Sequence, residues 1–237
     1  AHKFQNPGVR SYAMVLVAEN TYGTGRSWIK DMLSASLQGH VKSATLAQLI
    51  GSGTSADQNY NDWGSGCLFL VVDESKNTVQ PLDFYHGYET FKQNVDTRVT
   101  NIRVNPKFGK TRNDNIYFNA LIFSNHSDAL AIPENDRRVC VLTNPTTVQP
   151  YEYYERLNAA LYNGEARLLY WYLMHRDISG FNHVKPLMTP GKLAMINATV
   201  SPADQIMDHI LETTRHDLVR KKNISALVRD AAYALDM

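Results

Sequence analysis

The run YAMVLVA at residues 12–18 constrains this chain more than any other feature. It has the length of one strand and carries no charge, so both of its faces must be covered, and a strand buried on both faces belongs inside a parallel sheet. Parallel neighbours need crossover connections, usually helices. The chain supplies one at once: after the turn ENTYGTG, the segment RSWIKDMLSASLQG at residues 26–39 has apolar residues at helical spacing and stops at Gly39. Strand, glycine turn and helix are therefore predicted in succession.

Similar reasoning extends along the chain. Residues 44–50 read as a short helix, and the Gly/Ser/Asp/Asn-rich stretch 51–66 as a loop. Residues 67–72 (CLFLVV) make the next buried strand, with Asp73 and Glu74 at its end. Residues 80–94 read as helix, and 97–113 as a β-hairpin or extended loop turning around Asn105, Pro106 and Gly109. Strands are expected at 116–124 and 137–143, then helices at 151–175 and 202–236, separated by an irregular stretch containing Gly180, Pro186 and Pro190. The expected organisation is an α/β core over residues 1–145, with a mostly parallel sheet, followed by a mostly helical region over 146–237.

Composition narrows the function classes. The 237 residues suit one sizeable domain, alone or with an appendage, and a formal net charge of +1 argues against a chain that grips nucleic acid over its whole surface. Any nucleic-acid contact must be a local basic patch. Cys67 and Cys140, the two cysteines, lie in apolar runs and read as reduced core thiols, which fits an intracellular, cytoplasmic protein. No apolar stretch has membrane-spanning length. The opening AHKFQNPG reads like the end of an earlier element, so the expectation is a piece of something longer.

Four segments carry chemistry. Gly23-Thr24-Gly25-Arg26-Ser27 lies between the first strand and its helix, where glycines let backbone N–H groups turn toward a polyphosphate at a helix N-terminus. Ser27 would ligate magnesium; the strict phosphate-loop pattern has glycine and lysine where this chain has Asn20 and Arg26. By itself the segment is only a tight turn. LFLVVDE then delivers two carboxylates to a sheet edge, where Asp73 can hold magnesium and Glu74 can orient or deprotonate a water. In IFSNHSDALAIPENDRR, Asn125 ends a strand as a γ-phosphate sensor would, and Arg137 and Arg138 open the next strand, from which an arginine can reach a neighbouring subunit. His126 lacks a second ligand at metal spacing. Finally, RVTNIRVNPKFGKTR concentrates Arg98, Arg103, Lys107, Lys110 and Arg112 and offers Phe108 at its tip, a set that suits single-stranded nucleic acid or, failing that, a solvated hairpin.

The order of these motifs resembles the superfamily 3 helicases, and most closely the helicase part of phage and plasmid primase-helicase proteins. SNHSDALAIPENDRR is similar to that group's sensor and arginine-finger segment; NIRVNPKFG and HRDISGFNHVKPLMTPGKLAMI are similar to the segments around it. The resemblance implies a P-loop AAA+ type core, a hexamer or similar ring, ATP and magnesium between subunits, and a hairpin facing a central channel. It also implies single-stranded or forked DNA and a fused or associated primase as partners, with no membrane. Ser27, Asp73, Glu74 and Asn125 match the family's nucleotide site, Arg137 and Arg138 its finger region, and Arg26 falls where the family has lysine. The expected activity is an ATP-driven helicase or translocase in DNA replication. The alternative is a degenerate nucleotide-binding scaffold that assembles a ring on DNA or recruits a primase without efficient hydrolysis.

Overall fold

Alternating side chains along the apolar strands divide the core into two halves, one on each face of a single sheet. The computed structural model describes residues 1–19, 21–51, 60–73, 81–144, 147–198, 202–214 and 223–235. Five strands, β1 (Ala13–Val17), β2 (Val41–Ala44), β3 (Phe69–Asp73), β6 (Asn119–Ser124) and β7 (Val139–Thr143), form a sheet in the order β2-β3-β6-β1-β7. All four pairings are parallel. Val15, Val17, Leu70, Val72, Ile122 and Val141 point to one face; Leu16, Val71, Leu121 and Phe123 point to the other. That period of two is what a pleated strand imposes.

Helices cover both faces. On the first lie α3 (Leu46–Ile50), α4 (Pro81–Val95) and α7 (Pro190–Ala198), which contribute Leu49, Phe91 and Met195. On the second lie α1 (His2–Gln5), α2 (Arg26–Leu37) and α6 (Ala166–His175), which contribute Phe4, Leu33 and Leu173. A separate antiparallel pair, β4 (Asn101–Val104) and β5 (Arg112–Asn115), makes the hairpin expected from the sequence. The α/β class with a parallel central sheet is thus the observed one.

Several elements differ from expectation. The strand β2 was not foreseen, because VKSA sits at the sheet edge, buries only Ala44 fully and carries polar residues as edge strands do. The helix expected from residue 44 starts at Leu46, where Thr45 and Gln48 form a capping box. Pro190 opens α7 where an irregular stretch was expected; proline is well tolerated in the first helical turn, since its missing N–H would be unpaired there anyway. The helix expected at 151–175 is two, α5 (Tyr151–Tyr162) and α6, separated by Gly164 at φ 78°. Cys67 and Cys140 are buried free thiols, and burial pushes Cys67 up to about 11.

The chain divides into two compact units, Ala1–Ile196 and Asn197–Met237, later than the change of sequence character near residue 145. In the second, α8 (Pro202–Thr213) packs with α9 (Ile224–Ala234), and Ile210 and Ala231 are buried. Among the described residues, no helix is long and apolar enough to cross a membrane.

A buried ion pair fastens α7 to the start of β7. Lys192 Nζ donates to the Asp136 carbonyl at 2.6 Å and to Asp136 Oδ1 at 3.2 Å, and both side chains are at most 1% exposed. The same carboxylate accepts from the backbone N–H groups of Arg138 and Val139, each at 2.9 Å, and from the Tyr88 hydroxyl at 2.8 Å. The approach is close: a Cβ on Gly191 would meet Thr143 Oγ1 at 2.7 Å. Removing one partner leaves an uncompensated buried charge, which costs about 3–5 kcal/mol. Lys192→Met is expected to lower stability by that amount, read as a fall in the urea midpoint, with Asp136→Asn in the same chain recovering part of it; a loss under ~1 kcal/mol, the scale of an exposed pair, would remove this clasp from the fold.

Candidate functional site

The loop after β1 turns through two glycines into the start of a helix. Gly23 and Gly25 have φ of 72° and 83°, values that L side chains rarely adopt, and Gly25 is the residue that caps α2. Arg26 and Ser27 are the first two residues of α2, so the unpaired N–H groups of its first turn lie beside the loop. The loop is tied to the end of β7, where Asn144 Nδ2 donates to Thr24 Oγ1 at 3.5 Å and Asn144 N to the Val17 carbonyl at 2.7 Å.

Register brings the other polar ends to the same edge. Val17 pairs with Ser124, and Asp73 pairs with Phe123, so the ends of β1, β6 and β3 are level. The central strand of the three, β6, separates the loop from Asp73 by two strand spacings, about 10 Å, a gap that a phosphate and a hydrated cation can fill. Asp73 is exposed there, and Ser27 is exposed on the helix. Glu74 and Asn20 lie outside the described residues.

Arg26 takes a position that the sequence did not suggest. Its Nη1 donates to the Ser124 carbonyl and its Nη2 to Asn125 Oδ1, so the guanidinium bridges from the loop to the residue expected to act as sensor. A planar fork can hold two acceptors of one strand end at once, which a lysine ammonium does with less geometric definition. Arg26 and Asn125 are thus one hydrogen-bonded unit.

Beside the loop lies a pocket of about 580 Å³ lined by Gly23–Trp28, by Val148 and Gln149, and by Tyr151, Tyr154, Leu157 and Asn158 of α5. Its size is within the usual range for small-molecule sites. Trp28 Nε1 donates to the Leu157 carbonyl at 2.8 Å and fixes α5 against α2, while Tyr154 lies 3.6 Å from where a Gly25 Cβ would be. Sequence reasoning missed these aromatic residues; their signal was Tyr151 and Tyr154 three apart in YEYYERL, on one helix face just after Pro150.

The remaining candidates are at the opposite edge. Arg137 and Arg138 precede β7, and β7 runs parallel to β1, so they lie a strand length, about 16 Å, from the level of the loop. Arg138 is paired with Asp96 at 2.9 Å, whereas Arg137 is exposed and has no hydrogen bond or ion pair with any described residue. On the hairpin, Arg103, Lys107, Phe108, Lys110 and Arg112 are all exposed; Phe108 is 95% exposed at the tip, with the Lys107 ammonium 5.9 Å from its ring centroid. The hairpin base is held by Asn61, which donates to the Arg103 carbonyl at 2.8 Å and accepts from Asn105 N at 2.7 Å. Among the described residues no group of His, Cys, Asp and Glu could hold a metal ion by itself.

A family model matches residues 19–138, just over half of the chain, from the loop through the arginine pair. The chain belongs to DUF5906, a family of unknown function. No curated protein matches this DUF5906 chain. Among solved structures, an A-form apo structure of the NrS-1 C-terminal region is 17% identical, with a TM-score of 0.68 over 97% of this chain and 55% of that one. A second apo structure of the same region gives 17% identity and a TM-score of 0.66, covering 97% and 56%. The chain thus spans little more than half of those structures, and the likeness is one of fold. A JCV helicase structure is more distant, at 12% identity and a TM-score of 0.47 over 98% of this chain and 58% of that one.

The Arg26 bridge yields a binding test. Arg26 supplies the loop's positive charge, so Arg26→Ala is expected to weaken binding of a fluorescent ATP analogue tenfold or more, about 1.4 kcal/mol, while Arg26→Lys stays within about threefold of wild type. Unaltered affinity in Arg26→Ala would make the residue a clasp on Asn125 with no ligand role.

Proposed function

We propose that this DUF5906 chain is the ATP-hydrolysing core of a ring-forming DNA helicase or translocase, of the kind that works with a primase in phage and plasmid replication. The observation that carries the reading is the glycine loop, which opens beside a 580 Å³ pocket at the same sheet edge as Asp73 and Asn125. A nucleoside triphosphate would lie along that edge. Its base and sugar would occupy the pocket against Tyr151 and Tyr154, and its phosphates would meet the backbone N–H groups of residues 23–27.

The donor set suits magnesium, because a serine hydroxyl and an aspartate carboxylate are the hard oxygen ligands that this ion takes alongside water. Held by Ser27 and Asp73, magnesium would neutralise charge on the β- and γ-phosphates. Glu74, next to Asp73 in the sequence, would accept a proton from the attacking water. Arg26 would give up its contact with Asn125 Oδ1 to the γ-phosphate, leaving Asn125 to orient the water. Because Arg137 is a strand length from its own loop, it can act on a γ-phosphate only in a neighbouring copy, which favours a ring and favours Arg137 over the Asp96-bound Arg138 as the finger. The exposed hairpin, with Lys107 and Lys110 flanking Phe108, would grip the phosphates and a base of single-stranded DNA.

Steady-state phosphate release, measured with and without single-stranded DNA, tests the motor. Hydrolysis stimulated by DNA is expected, and Glu74→Gln should lower it by about 10²–10⁴-fold, the usual contribution of a general base. Nucleotide binding with no turnover in the wild type would instead support the alternative, a ring scaffold in which the Arg26 bridge to Asn125 has displaced hydrolysis.

The hairpin has its own test. Each phosphate contact adds to the salt dependence of binding through released counterions, so Lys107→Ala should weaken DNA affinity and reduce the slope of log affinity against log salt by about 1. Unchanged affinity and slope would take the hairpin out of the mechanism.

A further inference from the structure

One carboxylate holds two guanidiniums at the edge of the sheet opposite the loop. Asp96, in the turn after α4, has a side chain only 10% exposed, and its two oxygens accept from Arg98 Nε at 3.0 Å and Arg98 Nη2 at 2.9 Å. The Oδ2 oxygen also accepts from Arg138 Nε at 3.0 Å, and Arg138 Nη2 lies in ion-pair contact with it at 2.9 Å. The turn itself is fixed: Arg98 N donates to Asp96 Oδ1 at 3.0 Å, and buried Arg10 donates to the carbonyls of Asp96 at 3.0 Å and Val99 at 2.6 Å. Hydrogen bonds from Arg98, followed by those from Arg138, keep the Asp96 carboxyl well below the ordinary carboxylate range, so it is ionised throughout the neutral range.

The arrangement leaves positive charge over. Asp96, Arg98, Arg137 and Arg138 line a cleft of about 80 Å³ together with Thr97 and Val184, so its lining carries three arginines and one carboxylate. Each guanidinium has five N–H donors in a plane, and the pairing with Asp96 engages only the Nε and Nη2 groups of Arg98 and Arg138, leaving their Nη1 groups outside it. The cleft is the size of a single tetrahedral oxyanion. Surface arginines ordinarily lose side-chain entropy when they close on an anion; here Asp96 has already fixed two of them.

We propose that this cleft is a preformed phosphate site, with Arg98, Arg137 and Arg138 as its ligating cations and Asp96 as the residue that positions Arg98 and Arg138. The phosphate is either the terminal group of a nucleotide bound by an adjacent copy of the chain or a backbone phosphate of a nucleic acid strand. Only the first source rests on the ring reading given above; the cleft itself does not.

The test is an NMR titration of the arginine Nε–Hε resonances of the full chain with inorganic phosphate, each resonance assigned by substitution. Arg98 and Arg138 are expected to shift together and saturably. Arg98→Ala should weaken phosphate affinity at Arg138 tenfold or more while leaving the thermal midpoint in place, since the Arg98 side chain is 67% exposed. Arg98→Lys, which keeps the charge and loses the planar fork, should recover only part of the affinity. Shifts that never saturate, or the same affinity in Arg98→Ala, would overturn the site and leave the arginines as a staple between α4 and β7.

Two further arms identify the source. A shift caused by a non-hydrolysable ATP analogue and lost in Ser27→Ala assigns the cleft to a neighbour's nucleotide. A shift caused by a single-stranded oligonucleotide and indifferent to Ser27→Ala assigns it to a nucleic-acid backbone. Response to inorganic phosphate alone marks an adventitious ion only and overturns the proposal as well. Because inorganic phosphate requires neither ring nor loop, the cleft can stand if the hydrolytic reading falls, and can fall while that reading stands.

Discussion

The insertion of β6 between β1 and β3 is the constraint on which the rest depends. The β6 residues Ala120–Phe123 are buried, with Ala120 and Ile122 in one half of the core and Leu121 and Phe123 in the other, so the strand cannot slip by one residue without exchanging its two faces. Its register with β1 and β3 therefore fixes the level at which three loops leave the sheet. Ser124, which is 1% exposed, terminates the apolar run and offers its carbonyl both to Ala18 N at 2.9 Å and to Arg26. Strand order makes the glycine loop, Asn125 and Asp73 neighbours, and the Arg26 contact to Asn125 forms on that arrangement.

Strand direction then separates the two kinds of charge. In a wholly parallel sheet every strand begins at one edge and ends at the other, so residues just before a strand and residues just after one lie at opposite edges of a single copy. Arg137 and Arg138 precede β7, the hairpin precedes β6, and the Asp96 turn precedes the hairpin, so the positive groups gather at the starting edge. The loop, Asp73 and Asn125 gather at the finishing edge. The two sets are separated by a strand length within one copy, and the fold has this asymmetry whatever it binds.

Most of the sheet was legible because its strands are continuous apolar runs, and the glycine loop was legible because it lies between such a run and an amphipathic helix. What escaped had weak local signals. VKSA at the edge carries no apolar run, and Pro190 looks like a breaker until its place at the helix start is known. The expected site residues divide accordingly: the sequence identified Asn125 and Arg26 separately but could not reveal that they touch, since the contact spans 99 residues and depends on β6 lying beside β1. Asp96 was invisible for the same reason, as Arg98 is two residues away from it but Arg138 is forty-two. The neighbouring arginines 137 and 138 differ in that this carboxylate holds Arg138.

The starting edge is held by buried cations on backbone carbonyls, an expensive device unless each donor is used. Lys3, 3% exposed, donates to the carbonyls of Pro7 at 3.1 Å, Val9 at 2.8 Å and Tyr117, and its full set of three donors is engaged. Burial, and after it the charge of Arg10, brings this ammonium down to about 8. Arg10, 2% exposed, donates to the carbonyls of Asn94, Asp96, Val99 and Phe118, and burial lowers it to about 10 despite the raising effect of Asp96. Loops at this edge have few regular partners for their carbonyls, because the hairpin interrupts the chain between α4 and β6. The two cations supply those partners and are buried, whereas Arg98 and Arg137 on the same edge are exposed. The edge therefore has two tiers, a buried one that fixes the turn around Asp96 and an exposed one that this turn presents, and the geometry of the second is set by the hydrogen bonds of the first.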